Sequence, residues 1–516
     1  MRSELAAKYG HKIKTVEELV RAVGPFPRSK RIIMCHGVFD VVHPGHLRHL
    51  VYAKSKADLL VVSITSDQHI DKGKYRPHVP HDLRAQNLAA LEAVDFVIID
   101  TNPNPLANIA AIKPDFFAKG YEYVASGMPQ KTAAEAEVVA GYGGEMIFTP
   151  GDIVYSSSKL IEMAPPSIKL EKLLAVMDRF GLRFDDLRRA VDGLGGRRVH
   201  VVGDTIVDSL TETTLIGGQT KTPTLSVRLD QRRDFIGGAA IVAGHLAAAG
   251  GRVKFSTVLG DDPFRDFVVR ELQRLGVDCD PVVDKTRPTT NKNAIVTDGY
   301  RLLKIDTVDN RTISNDVLER LRGNISRVAT DCVVFSDFRH GIYNRRTIPD
   351  LIKAIPAGVF RVADSQVASR WGNIIEFKGF DLITPNEREA RFALGDQDSG
   401  VRPLASALYD AAECKTLILK LGDRGALTCR STDHESLDSY FVVDSFVERL
   451  VDPVGAGDAL LAYATLALMT TSSDAIATIL GSIAAACACE RDGNVPVVPE
   501  EVRAKIDHVE RQCDYR

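Results

Sequence analysis

The chain has 516 residues, 45% of them hydrophobic and 26% charged, a balance that excludes extended disorder and suits about two to four folded domains. Its 65 Lys and Arg against 68 Asp and Glu leave a net charge of −3, too little basic excess to drive binding to nucleic acid or an anionic membrane. The apolar stretches at 459–469 and 475–489 are broken by Thr, Ser or Gly and are too short for a bilayer span.

The first residues, Met1 to Lys12, lack the apolar core of a secretory signal, so no export is expected. Short apolar runs at 31–35, 59–64, 96–99, 199–202, 332–335 and 416–419 read as buried strands. Their alternation with helical patterns predicts an α/β fold: two domains, each with a mainly parallel sheet flanked by helices. That alternation pauses between Pro165-Pro166 and Gly195-Gly196, where 170–194 is charged and amphipathic. The expected division is a domain over 1–163, a helical linker over 164–196 and a domain over 197–516. The eight cysteines, at 35, 279, 332, 414, 429, 487, 489 and 513, show no Cys-x-x-Cys and no zinc-ligand spacing, which predicts reduced thiols and a cytoplasmic protein.

In the first domain an apolar strand runs through Cys35-His36-Gly37-Val38-Phe39-Asp40 into His43-Pro44-Gly45-His46, and a helix is expected to begin near His46. A loop that opens a helix turns free N–H groups and the positive end of the dipole toward its contents, for which phosphate is the natural guest. Two imidazoles three residues apart can donate hydrogen bonds to a phosphoryl group as charge builds on its oxygens. No such setting surrounds His36, His49, His69, His78 or His81, for which surface or structural roles are expected.

The segment resembles the HxGH nucleotidyltransferases of the cytidylyltransferase-like superfamily. Val61–Asp67, Lys74-Tyr75-Arg76-Pro77, Arg84, Lys113-Pro114-Asp115, Lys119–Tyr123 and Ser156-Ser157-Ser158 follow in that family's order. The resemblance implies nucleotidyl transfer from a nucleoside triphosphate to a sugar phosphate. His43 and His46 would be catalytic, Ser157 and Ser158 would hold the outer phosphates, and Lys74 would offset charge. Gly37 and Phe39, in the strand-to-helix loop, complete that set.

In the second domain the strongest signal is Asp452-Pro453-Val454-Gly455-Ala456-Gly457-Asp458. A Gly-Ala-Gly loop opening a helix can form an anion hole from successive N–H groups, and an aspartate at the helix start can accept a hydroxyl proton or merely cap the helix. With Val201–Asp208, Phe235–Ala240, Gly260-Asp261-Asp262, Ser336-Asp337, Thr384–Glu389 and Leu419–Gly425, the order and spacing resemble the ribokinase, or PfkB, family of sugar kinases. The resemblance implies Asp458 as the catalytic base and Gly455, Ala456 and Gly457 as phosphoryl binders. It implies that Asn386 and Glu389 organise Mg²⁺ through water, and that Gly422 and Asn494 flank the adenine. Asp208, Gly237, Gly238 and Lys292 would bind the sugar, with Arg287, Arg301 and Lys304 as further basic groups for a second phosphate. One departure from the heptose-kinase pattern is Ile241, which follows Ala240 where Asn is usual.

Together the halves resemble the bifunctional heptose-7-phosphate kinase/heptose-1-phosphate adenylyltransferases, with the domain order reversed. What this implies is ATP-dependent phosphorylation of a heptose 7-phosphate, then transfer from ATP or CTP to the sugar 1-phosphate, with Mg²⁺ as cofactor. The resemblance implies a homo-oligomer, a dimer, with no nucleic-acid or membrane partner. Also open are the same activities on another polyol or amino-alcohol phosphate with CTP, and one half acting only as a nucleotide-binding regulatory or scaffold module.

Overall fold

The computed structural model describes residues 8–70, 77–120, 130–149, 169–217, 225–367 and 371–514. Two compact units make up the chain. One comprises Met1–Ala175 with Asp398–Pro403 and Asp433–Ser439, and the other Val176–Gln397, Leu404–Thr432 and Tyr440–Arg516.

In the first unit Ile32–Gly37 (β1), Leu59–Thr65 (β2), Phe96–Asp100 (β3), Phe116–Gly120 (β4) and Glu145–Thr149 (β5) form one sheet, in the order β3-β2-β1-β4-β5. Every neighbouring pair is parallel. Successive side chains of a strand point to opposite faces, so Ile33 and Cys35 join one buried cluster while Ile32 and Met34 join another. A strand apolar on both faces needs cover on both faces, which explains why the predicted runs are unbroken rather than alternating.

The second unit holds Arg198–Gly203 (β6), Thr205–Gly217 (β7), Ser226–Gly238 (β8), Arg252–Ser256 (β9), Val258–Leu259 (β10), Asp278–Cys279 (β11), Val282–Val283 (β12) and Asn291–Thr297 (β13). Beyond these come Tyr300–Thr307 (β14), Cys332–Asp337 (β15), Phe360–Ser365 (β16), Leu382–Ile383 (β17), Thr416–Lys420 (β18), Ala426–Cys429 (β19) and Tyr440–Val443 (β20). Nine of them form a sheet ordered β11-β9-β6-β15-β16-β17-β18-β19-β20, parallel as far as β18 and antiparallel over the last two pairings. β10 pairs with β12.

A separate four-stranded sheet, β14-β13-β7-β8, has antiparallel outer pairs. The sequence reading did not contain it, because β7 and β8 carry alternating polar and charged residues instead of an apolar run. Within the expected linker, Lys169–Arg179 and Phe184–Asp192 are helical. The latter belongs to the second unit: Leu187, Ala190 and Val191 are buried, and Arg188 pairs with Asp507 of the C-terminal helix at 2.8 Å.

Candidate active sites

In the first unit the strand order turns at β1, with β2 on one side and β4 on the other, and ligands of parallel sheets bind at the carboxyl ends beside such a switch. The residues after β1 occupy that place. The following helix spans Pro44–Lys54, with Pro44 at its first position and His43 as N-cap, so it starts two residues earlier than the sequence suggested. The reason is local: proline has a helical φ and no N–H to satisfy, and suits the first turn.

The Gly45 N–H donates to His43 Nδ1 at 3.1 Å, which leaves the ring proton on Nε2. The His46 ring stacks on that of His43, centroids 3.9 Å apart, and lies 4.9 Å from the Phe39 ring. Burial lowers the His43 pKa, with Arg48 adding to the effect. Burial, with His43 and His49, pulls His46 down to about 4, so both rings are neutral at pH 7 and act as N–H donors rather than cations. Phe39 holds φ +49, and a Cβ on Gly37 would meet its ring at 3.1 Å.

Arg84, wholly buried, braces this loop. It donates to the carbonyls of Val79 (2.9 Å), Thr65 (2.8 Å) and Val38, and to Asp67 Oδ1 (2.6 Å). Asp40 accepts from the N–H of His78 at 3.2 Å and Val79 at 2.9 Å. Sequence reasoning gave neither residue a role; the place of Arg84 in the family's order of motifs was the available signal. His36 is structural as expected, bonded to Ser63 Oγ at 2.9 Å, and His49 meets Thr149 Oγ1 at 2.8 Å. Lys74, Ser157 and Ser158 lie outside the described residues.

In the second unit the polar residues gather where adjacent parallel strands end: Asp204 after β6, Asp337 on β15, Asp364 on β16, Asn386 after β17 and Lys420 on β18. The helix that follows the Gly-Ala-Gly loop spans Ala456–Thr471, with Gly455 as N-cap at φ +81. Asp458 is therefore the third helical residue rather than the cap. Burial, reinforced by Asp364, Asp208 and Glu389 against the opposing Lys420, pushes its pKa up to about 8. Such a carboxyl is poised to take a proton near neutrality.

Asn386 and Glu389 close a capping box: the Glu389 N–H donates to Asn386 Oδ1 at 2.9 Å and the Asn386 N–H to Glu389 Oε2 at 2.6 Å. Glu389 Oε1 stays outside this cap. Among the described residues no group of three or more His, Cys, Asp or Glu is arranged to hold a metal. A buried carboxylate on which Asp364 acts electrostatically suits an ion that keeps most of its waters and arrives with phosphates, as Mg²⁺ does.

Lys420 Nζ bonds Asp364 Oδ1 at 3.1 Å. Burial lowers its pKa, but Asp364, Glu389 and Asp458 outweigh that and raise it overall. Asp364 was missed because no motif marks it and the short strand before it, broken by Arg361, carries no continuous apolar run. Asn494 packs on the glycine loop: a Cβ at Gly455 would sit 2.1 Å from its Oδ1, and its Nδ2 donates to the Ile236 carbonyl at 3.3 Å. Gly422 holds φ +66 beyond β18, at the start of a short 3-10 turn.

At the proposed sugar end, a Cβ on Gly237 would meet Asp208 Oδ2 at 2.1 Å, and one on Gly238, at φ +62, would meet the Asp204 carbonyl at 2.5 Å. Lys292 is paired in register with Asp208 on one side and Asp306 on the other. Arg287, in contrast, is committed elsewhere. It pairs with Asp284 at 3.0 Å and donates to the carbonyls of His340 and Arg311, so it is not available to a second phosphate. Ile241 is wholly buried in the helix Ala239–Ala248.

Two stretches of the chain match families of known proteins. Residues 197–501 match the pfkB family carbohydrate kinase model, and residues 34–163 match the cytidylyltransferase-like model. Bifunctional protein HldE of Bradyrhizobium sp. (strain ORS 278) is 29% identical over 334 residues, 63% of this chain and 65% of that protein. Its namesake from Koribacter versatilis (strain Ellin345) is 39% identical over 154 residues, 29% of this chain and 31% of that protein. The chain thus spans just under two thirds of the first of these relatives. The cytidylyltransferase-like stretch precedes the pfkB stretch, and against these relatives that order is not a reversal. The tetrameric inhibited form of phosphofructokinase-2 from Escherichia coli superposes with a TM-score of 0.52 at 19% identity, over 61% of this chain and all of that one, a likeness of fold.

Proposed function

We propose, from the premise that this chain belongs to the pfkB family of carbohydrate kinases, that it is a bifunctional enzyme making a nucleotide-activated sugar. The second unit phosphorylates a heptose 7-phosphate at its anomeric hydroxyl, and the first couples the resulting sugar 1-phosphate to a nucleotide. The observation that carries this reading is that one chain holds two helix N-termini of different chemistry, each suited to a phosphate. One has a pair of neutral imidazoles, the other a buried carboxyl behind a glycine loop.

In the kinase reaction the acceptor hydroxyl gives its proton to Asp458 while its oxygen bonds the γ-phosphorus and the bond to the ADP oxygen breaks. The Gly455–Gly457 N–H groups receive the charge on the equatorial oxygens, a task of positioning and electrostatics. Asp208, with the Gly237-Gly238 turn, orients the sugar, and Lys292 faces its phosphate. Asn386 and Glu389 would hold Mg²⁺ through water; when bound, the ion offsets the triphosphate charge.

In the transferase reaction a phosphate oxygen of the sugar 1-phosphate attacks the α-phosphorus and pyrophosphate leaves. His43 Nε2–H and the His46 ring steady the α-phosphoryl oxygens, and the Pro44–Lys54 helix adds its dipole. Lys74, Ser157 and Ser158 would serve the outer phosphates. A cytoplasmic homodimer fits the eight cysteine thiols and the exposed Ile216, Leu229, Tyr300, Leu303 and Ile305 of the four-stranded sheet. Among the described residues no helix is long and apolar enough to cross a membrane.

Mass spectrometry of products from a panel of phosphorylated sugars and polyols, each with Mg²⁺ and the four nucleoside triphosphates, tests this. A sugar bisphosphate and a nucleotide-sugar from heptose 7-phosphate are expected. Turnover of another phosphate with CTP would replace the substrate, and no product from any pair would overturn the function.

A further inference from the structure

Lys420 ends β18, and its backbone is fastened to the Asn386 element. Its N–H donates to the Pro385 carbonyl at 2.8 Å, and Asn386 and Lys420 form a parallel bridge. From there the side chain runs toward the other motif: a Cβ on Gly457 would lie 3.2 Å from Lys420 Nζ and 3.7 Å from its Cδ. The ammonium therefore lies against the glycine loop. Around it stand Asp364, Glu389 and Asp458, exposed by only 2%, 4% and 7%.

We propose that Lys420 is a further residue of the kinase centre, an ammonium that joins the Asn386–Glu389 cap to the Gly455–Gly457 loop and meets the γ-phosphoryl group of the nucleotide. The inference rests on the kinase reading above. Its physical basis is charge: buried carboxylates with no cation among them would repel the phosphoryl group they must receive. A lysine tethered to Asp364 on one side and touching the loop on the other supplies the opposite sign where negative charge is transferred. The close approach also favours a small residue at 457, since a Cβ there would press on the ammonium.

The test compares the full chain with its Lys420→Met and Lys420→Arg variants, using calorimetric binding of MgADP and of Mg-AMP-PNP, whose γ-phosphoryl ADP lacks. Thermal unfolding of the second unit, followed by calorimetry on the full chain, serves as the folding control. Lys420→Met is expected to lose roughly tenfold or more in AMP-PNP affinity while ADP affinity changes little, and Lys420→Arg is expected to restore most of the difference. With heptose 7-phosphate as acceptor, Lys420→Met should lower kcat by roughly 10²-fold with the sugar KM nearly unchanged. Should Lys420→Met not fold, a Lys420→Arg variant that keeps the AMP-PNP preference supports the proposal, and one that is folded without that preference overturns it. Equal loss of both nucleotides, or unaltered preference in Lys420→Met, also overturns it. A wild-type chain that binds AMP-PNP but phosphorylates no sugar instead removes the substrate assignment and leaves the γ-phosphoryl contact standing on the binding data; one that binds neither nucleotide removes both.

Discussion

Asn494 leans over Gly455 so closely that a methyl group at 455 would come within 2.1 Å of the amide oxygen. The glycine also holds φ +81 as the N-cap of the Ala456–Thr471 helix, a conformation that L side chains rarely adopt. Two independent restraints thus meet at the residue that opens the proposed phosphoryl site.

Gly455→Ala is accordingly expected to reduce sugar phosphorylation by roughly 10²-fold or more, because the N–H groups of the loop must move to relieve the contact. Pyrophosphate release by the first unit should stay at the wild-type rate. A kinase rate within a few-fold of wild type in a coupled ADP assay would contradict this account.

Asp458 links activity and stability with opposite signs. Its folded pKa of about 8 lies above the ordinary carboxylate value, so between the two the folded chain keeps a proton that the unfolded chain releases. Its contribution to stability therefore falls as pH rises from about 4 to 8, while the ionised form needed as base increases. Asp458→Asn should abolish phosphoryl transfer and, at pH 8, raise the Tm of the second unit by roughly a few degrees. Calorimetry and kinase assays from pH 5.5 to 9 check both.

For the first unit, His43→Asn separates capping from chemistry. Asparagine is a good N-cap residue, so helix stability should be kept while nucleotidyl transfer falls by roughly 10²-fold. His46→Ala should show the same loss. Since burial pulls His46 down to about 4 and holds His43 below its ordinary value of 6.5, the transferase rate should show no inflection from imidazole protonation between pH 6.5 and 8. A break near 6.5 in the pH profile would argue for a cationic ring.

Arg84→Met tests the brace beneath that loop. Removing a buried guanidinium that serves three carbonyls and Asp67 leaves Asp67 and those carbonyls without that partner, at a cost of roughly 3–5 kcal/mol. Denaturant unfolding should show the first unit weakened and kinase activity retained.

Much of this molecule was legible from local pattern. Apolar runs such as Ile32–Cys35 and Cys332–Phe335 became β1 and β15 because residues buried on both faces of a parallel strand must be continuously apolar. The histidine pair and the Gly-Ala-Gly loop were visible because consecutive residues at a helix start form their site within one turn of chain. Less local features escaped. The polar four-stranded sheet has no apolar signature, and Arg287 reads as a free cation until Asp284 and the carbonyls of His340 and Arg311 close around it.

What the sequence by itself determined is the buried apolar strands of the two parallel sheets and the two helix starts that carry the histidine pair and the Gly-Ala-Gly loop, since short-range periodicity and backbone freedom encode both. Only the tertiary structure decided that Asp364, Glu389, Lys420 and Asp458 share one buried cluster. These residues come from separate strand ends and helices, up to 94 positions apart by their numbers, and nothing in a linear pattern specifies which strand ends lie side by side. Sheet order does, because the charge of each group is set by neighbours that only folding supplies.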